Sequence, residues 1–230
     1  MKATFSMKAR RIILLSVSLL ITGTLLSQEK KVALGLGISP TMNWFKADSE
    51  GISSDGSTIG FSYGLITDFN FGENYALASG IFINSFGGKL QETHSDTSGV
   101  ARIDKVKYHF QSILIPITLR MKTKEIGYFR YYGLFGFNPE FIINADKDID
   151  PEGGDSQNDV GAMSEVSNFN FSLVLGIGLM YNLSGTTNFV LGISYNNGFI
   201  DMLSGSAGVS NDVEKKATTN QIALNLGVLF

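Results

Sequence analysis

In successive stretches between residue 31 and the end, large apolar residues and small or polar residues alternate one by one along the chain. The clearest case is Val166–Leu183, VSNFNFSLVLGIGLMYNL. Its odd positions are Ser167, Phe169, Phe171, Leu173, Leu175, Ile177, Leu179, Tyr181 and Leu183, and all but Ser167 are apolar or aromatic. Its even positions are mostly Asn, Ser and Gly. Successive strand residues point to opposite faces, so a period of two predicts one long strand with a bulky face and a lean face. A helical period would group like residues three and four apart, and here those positions mix Phe with Ser and Leu with Gly. Ordinary strands run about five or six residues. A tilted strand crossing a bilayer needs about 9–11.

The same alternation predicts eight strands: Lys31–Phe45, Thr58–Phe71, one from Tyr75 to about residue 86, Lys105–Met121, Tyr128–Asn144, Val166–Leu183, Asn188–Asp201 and Ala217–Phe230. Between them lie long polar stretches (Lys46–Ser57, Gly87–Asp104, Ala145–Glu165, Met202–Lys216) and short turns (Gly72–Asn74, Lys122–Gly127, Ser184–Thr187) in strict alternation. Long loops on one side and tight turns on the other are the pattern of outer-membrane barrels. The expected fold is therefore all-β, an eight-stranded antiparallel up-and-down transmembrane β-barrel closed by its first strand against its last. Its bulky face meets lipid and its lean face lines the lumen.

Two irregularities stand out. Pro40 has no N–H to donate, which predicts a bulge or pairing gap in the first strand. In the fourth strand the apolar parity flips: Val106, Tyr108 and Phe110 are even, whereas Ile113, Ile115, Ile117 and Leu119 are odd. A β-bulge near Gln111–Ser112 would turn both sets outward. Aromatics gather near both ends of the predicted strands. Tyr75, Tyr128, Phe129, Tyr181 and Phe230 fall toward one rim, and Trp44, Tyr63, Tyr108, Phe110 and Phe141 toward the other, as expected of interfacial girdles.

The N-terminus reads as an export leader. Lys2, Lys8, Arg10 and Arg11 precede an apolar run, Ile12–Leu26, that is too short for a comfortable helical span. Residues 1–27 are expected to be a cleavable signal peptide, cut after Ser27, with 28–230 the barrel domain. Met7 offers a second start. The chain carries 18 basic and 21 acidic residues, and losing the four leader charges leaves 14 against 21, near −7. That balance argues against nucleic acid as a partner. With no cysteine in the chain, disulfides, thiolate metal sites and a lipid-modified N-terminal Cys are excluded.

SILIPITLRMK followed by FRYYGLFGFNPEF, with YNNGFIDM and the C-terminal LNLGVLF, resembles PorT-family outer-membrane β-barrel proteins of the Bacteroidetes type. The resemblance implies an eight-stranded barrel in the cell outer membrane. It does not imply a shared activity, because the family is diverse and no residue carries over the secretion role of its founding member. The terminal Phe with alternating apolar residues before it resembles the signal read by the barrel-assembly machinery.

Candidate chemistry is sparse. Asp68, Arg120 and Arg130 are expected to face the lumen near the short-turn end as an ion-pair cluster, with Ala76 and Ala78 leaving room between them. A plug is the expectation, since small barrels fill their interiors with side chains; a gate or proton path is the alternative. Inward glycines, among them Gly37, Gly176, Gly178 and Gly192, imply larger side chains opposite. Asp146, Asp148 and Asp150 form Asp-x-Asp-x-Asp, like the start of a calcium loop. Pro151 stands where the turn glycine belongs and Gln157 where the bidentate Glu belongs, so they are weak metal candidates in a solvated acidic loop. Thr93, His94, Ser95 and Asp96 gather hydrolase residue types, but a triad is geometry and not adjacency. His109 is expected in the lumen beside Gln111. No catalytic or cofactor-binding residue is assigned, and no cofactor is expected. The expected role is a structural or surface-interaction barrel whose external loops, above all Ala145–Glu165, meet a surface ligand or envelope protein. A passive small-solute pore, a part in a secretion or envelope assembly, and a membrane-embedded hydrolase are the alternatives.

Overall fold

The computed structural model describes residues 31–47, 49, 51–95, 101–203, 206–207 and 213–230. The leader at 1–27, the cut after Ser27, the alternative start at Met7 and Asp96 lie outside them. The barrel strands are β1 (Val32–Ala47), β2 (Ser57–Gly72), β3 (Tyr75–Ser95), β4 in two pieces (Ala101–Leu114 and Ile117–Lys122), β5 (Phe129–Pro151), β6 (Phe169–Ser184), β7 (Thr187–Gly198) and β8 (Ala217–Leu229). Each pairs antiparallel with its sequence neighbours, and β1 pairs with β8, so the sheet is a closed ring. Closure leaves no sheet edge toward lipid, which offers no hydrogen bonds to an open one.

The alternation does what the period of two demands. On β6, Leu175 and Ile177 are 49% and 73% exposed, while Val174, between Leu173 and Leu175, is buried. A surface lined with Leu36, Ile59, Leu65, Ile81, Ile177 and Ile193, all more than half exposed, would be untenable in water and is suited to hydrocarbon. Pro40 makes a gap and no bulge: pairing of β1 with β8 passes from Ile38–Leu226 to Thr41–Ala223 without a change of register.

Strand length departs from the sequence reading. β3 has 21 residues and β5 has 23, more than a bilayer crossing requires. The excess all projects at the long-loop end, where most of Gly87–Asp104 and part of Ala145–Glu165 are strand and not loop. There the short strand Ile52–Ser54 pairs with β3, and Gln157–Gly161 folds back on β5. The ring thus carries a five-stranded wall that extends beyond the apolar belt.

In that wall the polarity of the faces is reversed. Val106, Tyr108 and Phe110 are buried inside, whereas Lys105, Lys107, His109 and Gln111 lie on the outer face. The bulge expected near Gln111–Ser112 is present, but the extra residue is Ile143 on β5: Gln111 pairs with Asn144 and Ser112 with Ile142. Even positions of β4 therefore face inward from end to end. Tyr108 and Phe110 are not girdle residues, and His109 does not face the lumen. The cause is a change of solvent along one strand. Where the outer face meets lipid it is apolar; where it meets water it is polar, and the apolar side chains turn in.

Candidate functional site

Two features remain after the lipid-facing belt is set aside: the packed lumen and the projecting wall. The outer mouth of the lumen is filled by an apolar cluster. Phe45 from β1 stands edge-on to Tyr108 (centroids 6.0 Å, 86°) and to Phe110 (6.1 Å, 88°), an arrangement aromatic quadrupoles favour. Leu90, Ile142 and Ala145 close the cluster from β3 and β5. Met202 and Leu203, from the connection after β7, are buried in the same cluster.

Below this plug lies a polar layer. Glu140 is buried and accepts hydrogen bonds from Asn84 Nδ2 (2.8 Å), Ser112 Oγ (2.5 Å) and Asn170 Nδ2 (3.0 Å). Further toward the short turns is a cavity of about 110 Å³, whose walls include Ser39, Ser62, Thr118 and Asn138. Arg120 lines its lower end, and its guanidinium donates to Asp68 Oδ2, both side chains being nearly fully buried. The two stand on β2 and β4, on either side of β3. Asp68 lies opposite Ala78 and Arg120 opposite Ala76, so the two alanines provide the space across which the pair forms. Tyr132 lies over the guanidinium, 5.0 Å from Arg120 Cζ to the ring centroid. A single row explains where Tyr132 fits. Tyr132 pairs with Gly178, and Gly178 with Gly192; a Cβ on Gly178 or Gly192 would lie 2.5 or 2.3 Å from the Tyr132 hydroxyl.

Arg130 does not join this cluster. It stands at the start of β5, four residues before Leu134, the residue paired with Arg120. Four residues of strand is about 13 Å. Arg130 Nη2 instead reaches Glu125 in the turn at 3.2 Å, at the exposed rim.

On the outer face of the wall, Asp146, Asp148 and Asp150 alternate along β5 opposite His109, Lys107 and Lys105 of β4. Opposite charges directly across an antiparallel pair are mutually stabilising. The three carboxylates are strand residues and not a calcium loop. Alternate strand positions are about 7 Å apart, and each carboxylate already has a protein donor. Asn144 Nδ2 reaches Asp146 at 2.7 Å, and Ser156 Oγ reaches Asp150 at 2.7 Å. Asp148 accepts from the Asp159 backbone N–H at 3.1 Å and contacts His109 Nε2 at 3.0 Å. The Asp159 N–H, with His109 assisting, holds the Asp148 carboxyl below its usual range despite partial desolvation. Gly153 has φ 83° in the turn after Pro151, and Asp159 has φ 55°, also in the left-handed region, where the pairing of Gln157–Gly161 with β5 shifts register between Lys147 and Ile149. Thr93 and His94 are also strand residues, paired with Ile103 and Arg102. Among the described residues no three His, Asp or Glu side chains gather as a metal site.

Sequence reasoning missed Glu140 as a lumen centre and Phe45 as the core of the plug. Both lay on the correct inward parity, and Phe45 was legible as the one bulky residue on the lean face of β1.

Residues 26–204 match the family model described as outer membrane protein beta-barrel domain. The chain belongs to this family. No curated protein shows a significant sequence match. Several solved outer-membrane barrels are similar to this member of the outer membrane protein beta-barrel family. Neisserial surface protein A is 13% identical, with TM-score 0.39 over 87% of this chain and 98% of its own. OprG from Pseudomonas aeruginosa is 13% identical, with TM-score 0.44 over 86% and 95%. The outer membrane protease OmpT from Escherichia coli is 10% identical, with TM-score 0.38 over 90% and 99%. The family and the apolar belt place this barrel in the cell outer membrane, in contact with its lipid.

Proposed function

We propose that this small outer-membrane barrel is a closed surface-interaction protein, and that its projecting wall and long connections make the contacts. One observation carries the reading. The lumen is stopped at its outer mouth by the Phe45–Tyr108–Phe110 plug and at its inner end by the Arg120–Asp68 pair under Tyr132. A barrel filled this way has no aqueous path for solute, and the belt is committed to lipid. The surface that remains free to meet other molecules is the wall, whose outer face carries both signs of charge in register. Recognition on loops and projections from a rigid scaffold is the common arrangement. The pore reading loses support from the same observation.

The Ile-Pro strand around Pro116 and the Gly-rich FRYYGLFGFNPEF support a PorT-type barrel within the family. Phe230, exposed at the end of β8, supports delivery through the barrel-assembly machinery, and residues 1–27 support export with removal of the leader. Thr93 and His94, held opposite Ile103 and Arg102, support a non-enzymatic role, as does the use of every Asp146, Asp148 and Asp150 carboxylate in local bonding.

Planar-bilayer recording and a wall variant test the proposal together. The native barrel is expected to give no stable conductance. Replacing residues 152–156 with a two-residue turn is expected to leave the barrel folded, by the gel shift between unheated and boiled samples, while removing adhesion or co-purification with its envelope partner. Steady conductance in the native protein would restore the pore reading. Unchanged surface behaviour of the shortened variant would remove the wall from it.

A further inference from the structure

We propose that the lumen binds one dehydrated monovalent alkali cation, sodium or potassium, between Glu140 and the side-chain carbonyls of Asn84, Asn138, Asn170 and Asn196. Among the described residues three charged side chains are buried: Asp68, Arg120 and Glu140. The first two neutralise each other, so Glu140 is left with neutral donors alone. Arg120 cannot serve it as well. Ser112, which touches Glu140, and Arg120 lie eight residues apart on β4, about 26 Å of strand. A buried carboxylate without a cationic partner is the kind of group that proteins pair or give to a metal.

The surroundings are those of a hard-cation site. Asn84 and Asn170 turn their amide N–H groups to the Glu140 carboxylate, which directs their carbonyl oxygens elsewhere. Asn196 is fixed likewise, its amide nitrogen donating to Gln221 Oε1 and Gln221 donating on to Asn43. The Oδ1 atoms of Asn84, Asn138, Asn170 and Asn196 are all buried and have no hydrogen-bond partner. All four residues are more than nine-tenths buried. They and Glu140 line one cavity of about 20 Å³, the room for a single water-sized particle. Glu140 Oε2 accepts only the Asn170 bond and keeps a lone pair for a further partner.

Charge and size select the occupant. Four carbonyls and one carboxylate are oxygen donors suited to a hard cation. A monovalent ion cancels the single negative charge, whereas a divalent ion would leave an uncompensated positive one. Magnesium retains several waters, for which a one-particle cavity has no space. A lone water has two protons for four acceptors and leaves the Glu140 charge unmatched.

The test uses the full barrel, refolded from urea into detergent micelles in lithium, sodium, potassium, caesium or N-methyl-D-glucamine chloride at equal ionic strength. The folded fraction is read from the unheated-gel shift. The native protein is expected to have its highest urea midpoint in sodium or potassium, rising with that ion's concentration at fixed ionic strength. Glu140→Gln keeps an acceptor for Asn84, and it is expected to fold with a midpoint indifferent to the cation. If Glu140→Gln fails to fold, Asn138→Ala, which removes one ligand and none of the carboxylate's donors, is expected to weaken the dependence. Crystals grown in rubidium or thallium chloride should show an anomalous peak beside Glu140. Midpoints indifferent to the cation in the native protein, or no such peak, would overturn the proposal and leave the cavity to water.

Discussion

At the scale of single residues, the lumen and the belt impose opposite demands on adjacent positions. Leu175 faces lipid, so Leu175→Arg is expected to cost about 2–4 kcal/mol if it reaches the bilayer midplane, measured as a lowered urea midpoint in micelles. Its inward neighbour Gly176 has limited room: an added Cβ would lie 3.1 Å from Ile193 O and Ser194 Cβ. Gly176→Ser is expected to fold with a mild loss. Gly192→Ser is expected to be the worse of the two, because its Cβ would strike the Tyr132 hydroxyl and lift the ring from Arg120. Equal folding of all three variants would contradict the assigned facings. Breaking the buried pair by Arg120→Met leaves Asp68 uncompensated and is expected to cost about 3–5 kcal/mol. The double variant Arg120→Met/Asp68→Asn should recover much of that loss, and the same unfolding series reads both.

At the scale of elements, the projecting hairpin of β5 and Gln157–Gly161 is the one whose stability should follow pH. Asp148 has an ordinary value of 3.8 and is held lower in the folded hairpin, first by the Asp159 N–H. A depressed carboxylate contributes its stabilisation fully above the unfolded value and loses it as pH falls through the folded one. The hairpin is therefore expected to be intact at pH 5 and above, and to loosen progressively below about pH 4. Amide hydrogen exchange at residues 157–161 checks this. Asp148→Asn should flatten the acid limb, and a loosening that instead centres near neutrality would assign it to another group. The plug is the second element with a defined weight. Phe45 is almost wholly buried against two rings, so Phe45→Ala is expected to cost about 3–5 kcal/mol. Urea unfolding in micelles measures it.

At the scale of the molecule, alternating connection lengths orient the barrel, with long connections outward and short turns toward the periplasm. Protease treatment of intact cells is expected to cut within residues 152–156 and 202–216 and to spare residues 123–127. Cleavage confined to the short turns would invert the molecule and place the wall in the periplasm. The same orientation sets the outer level of the lipid near the crossover from Ile113 and Phe141 to His109 and Asp146, where the outer faces of β4 and β5 change from apolar to charged. A strand that crosses this level changes its outward solvent but not its hydrogen bonding, so β3, β4 and β5 can run on as an extracellular wall without a break.

How much was written in the chain follows from that continuity. The period of two is a local property, and with the alternating turns it was enough for eight strands, the lipid face of most of them and the ring closed by β1 on β8; the missing Pro40 N–H marked an interruption, and register decided that it is a gap and not a bulge. The inward placement of Asp68, Arg120 and Glu140 needed only parity. What parity cannot supply is the medium outside each residue. Val106, Tyr108 and Phe110 make an apolar face in any reading, and only the position of the strand relative to the bilayer decided that this face turns inward as a plug. Parity also gives no height along the barrel. Asp68 meets Arg120 and not Arg130 because register across β3 brings those two within two residues of each other, opposite Ala78 and Ala76, and leaves Arg130 at the rim with Glu125. Pairing register and depth in the membrane are relations between strands distant in sequence, and the tertiary structure decided both.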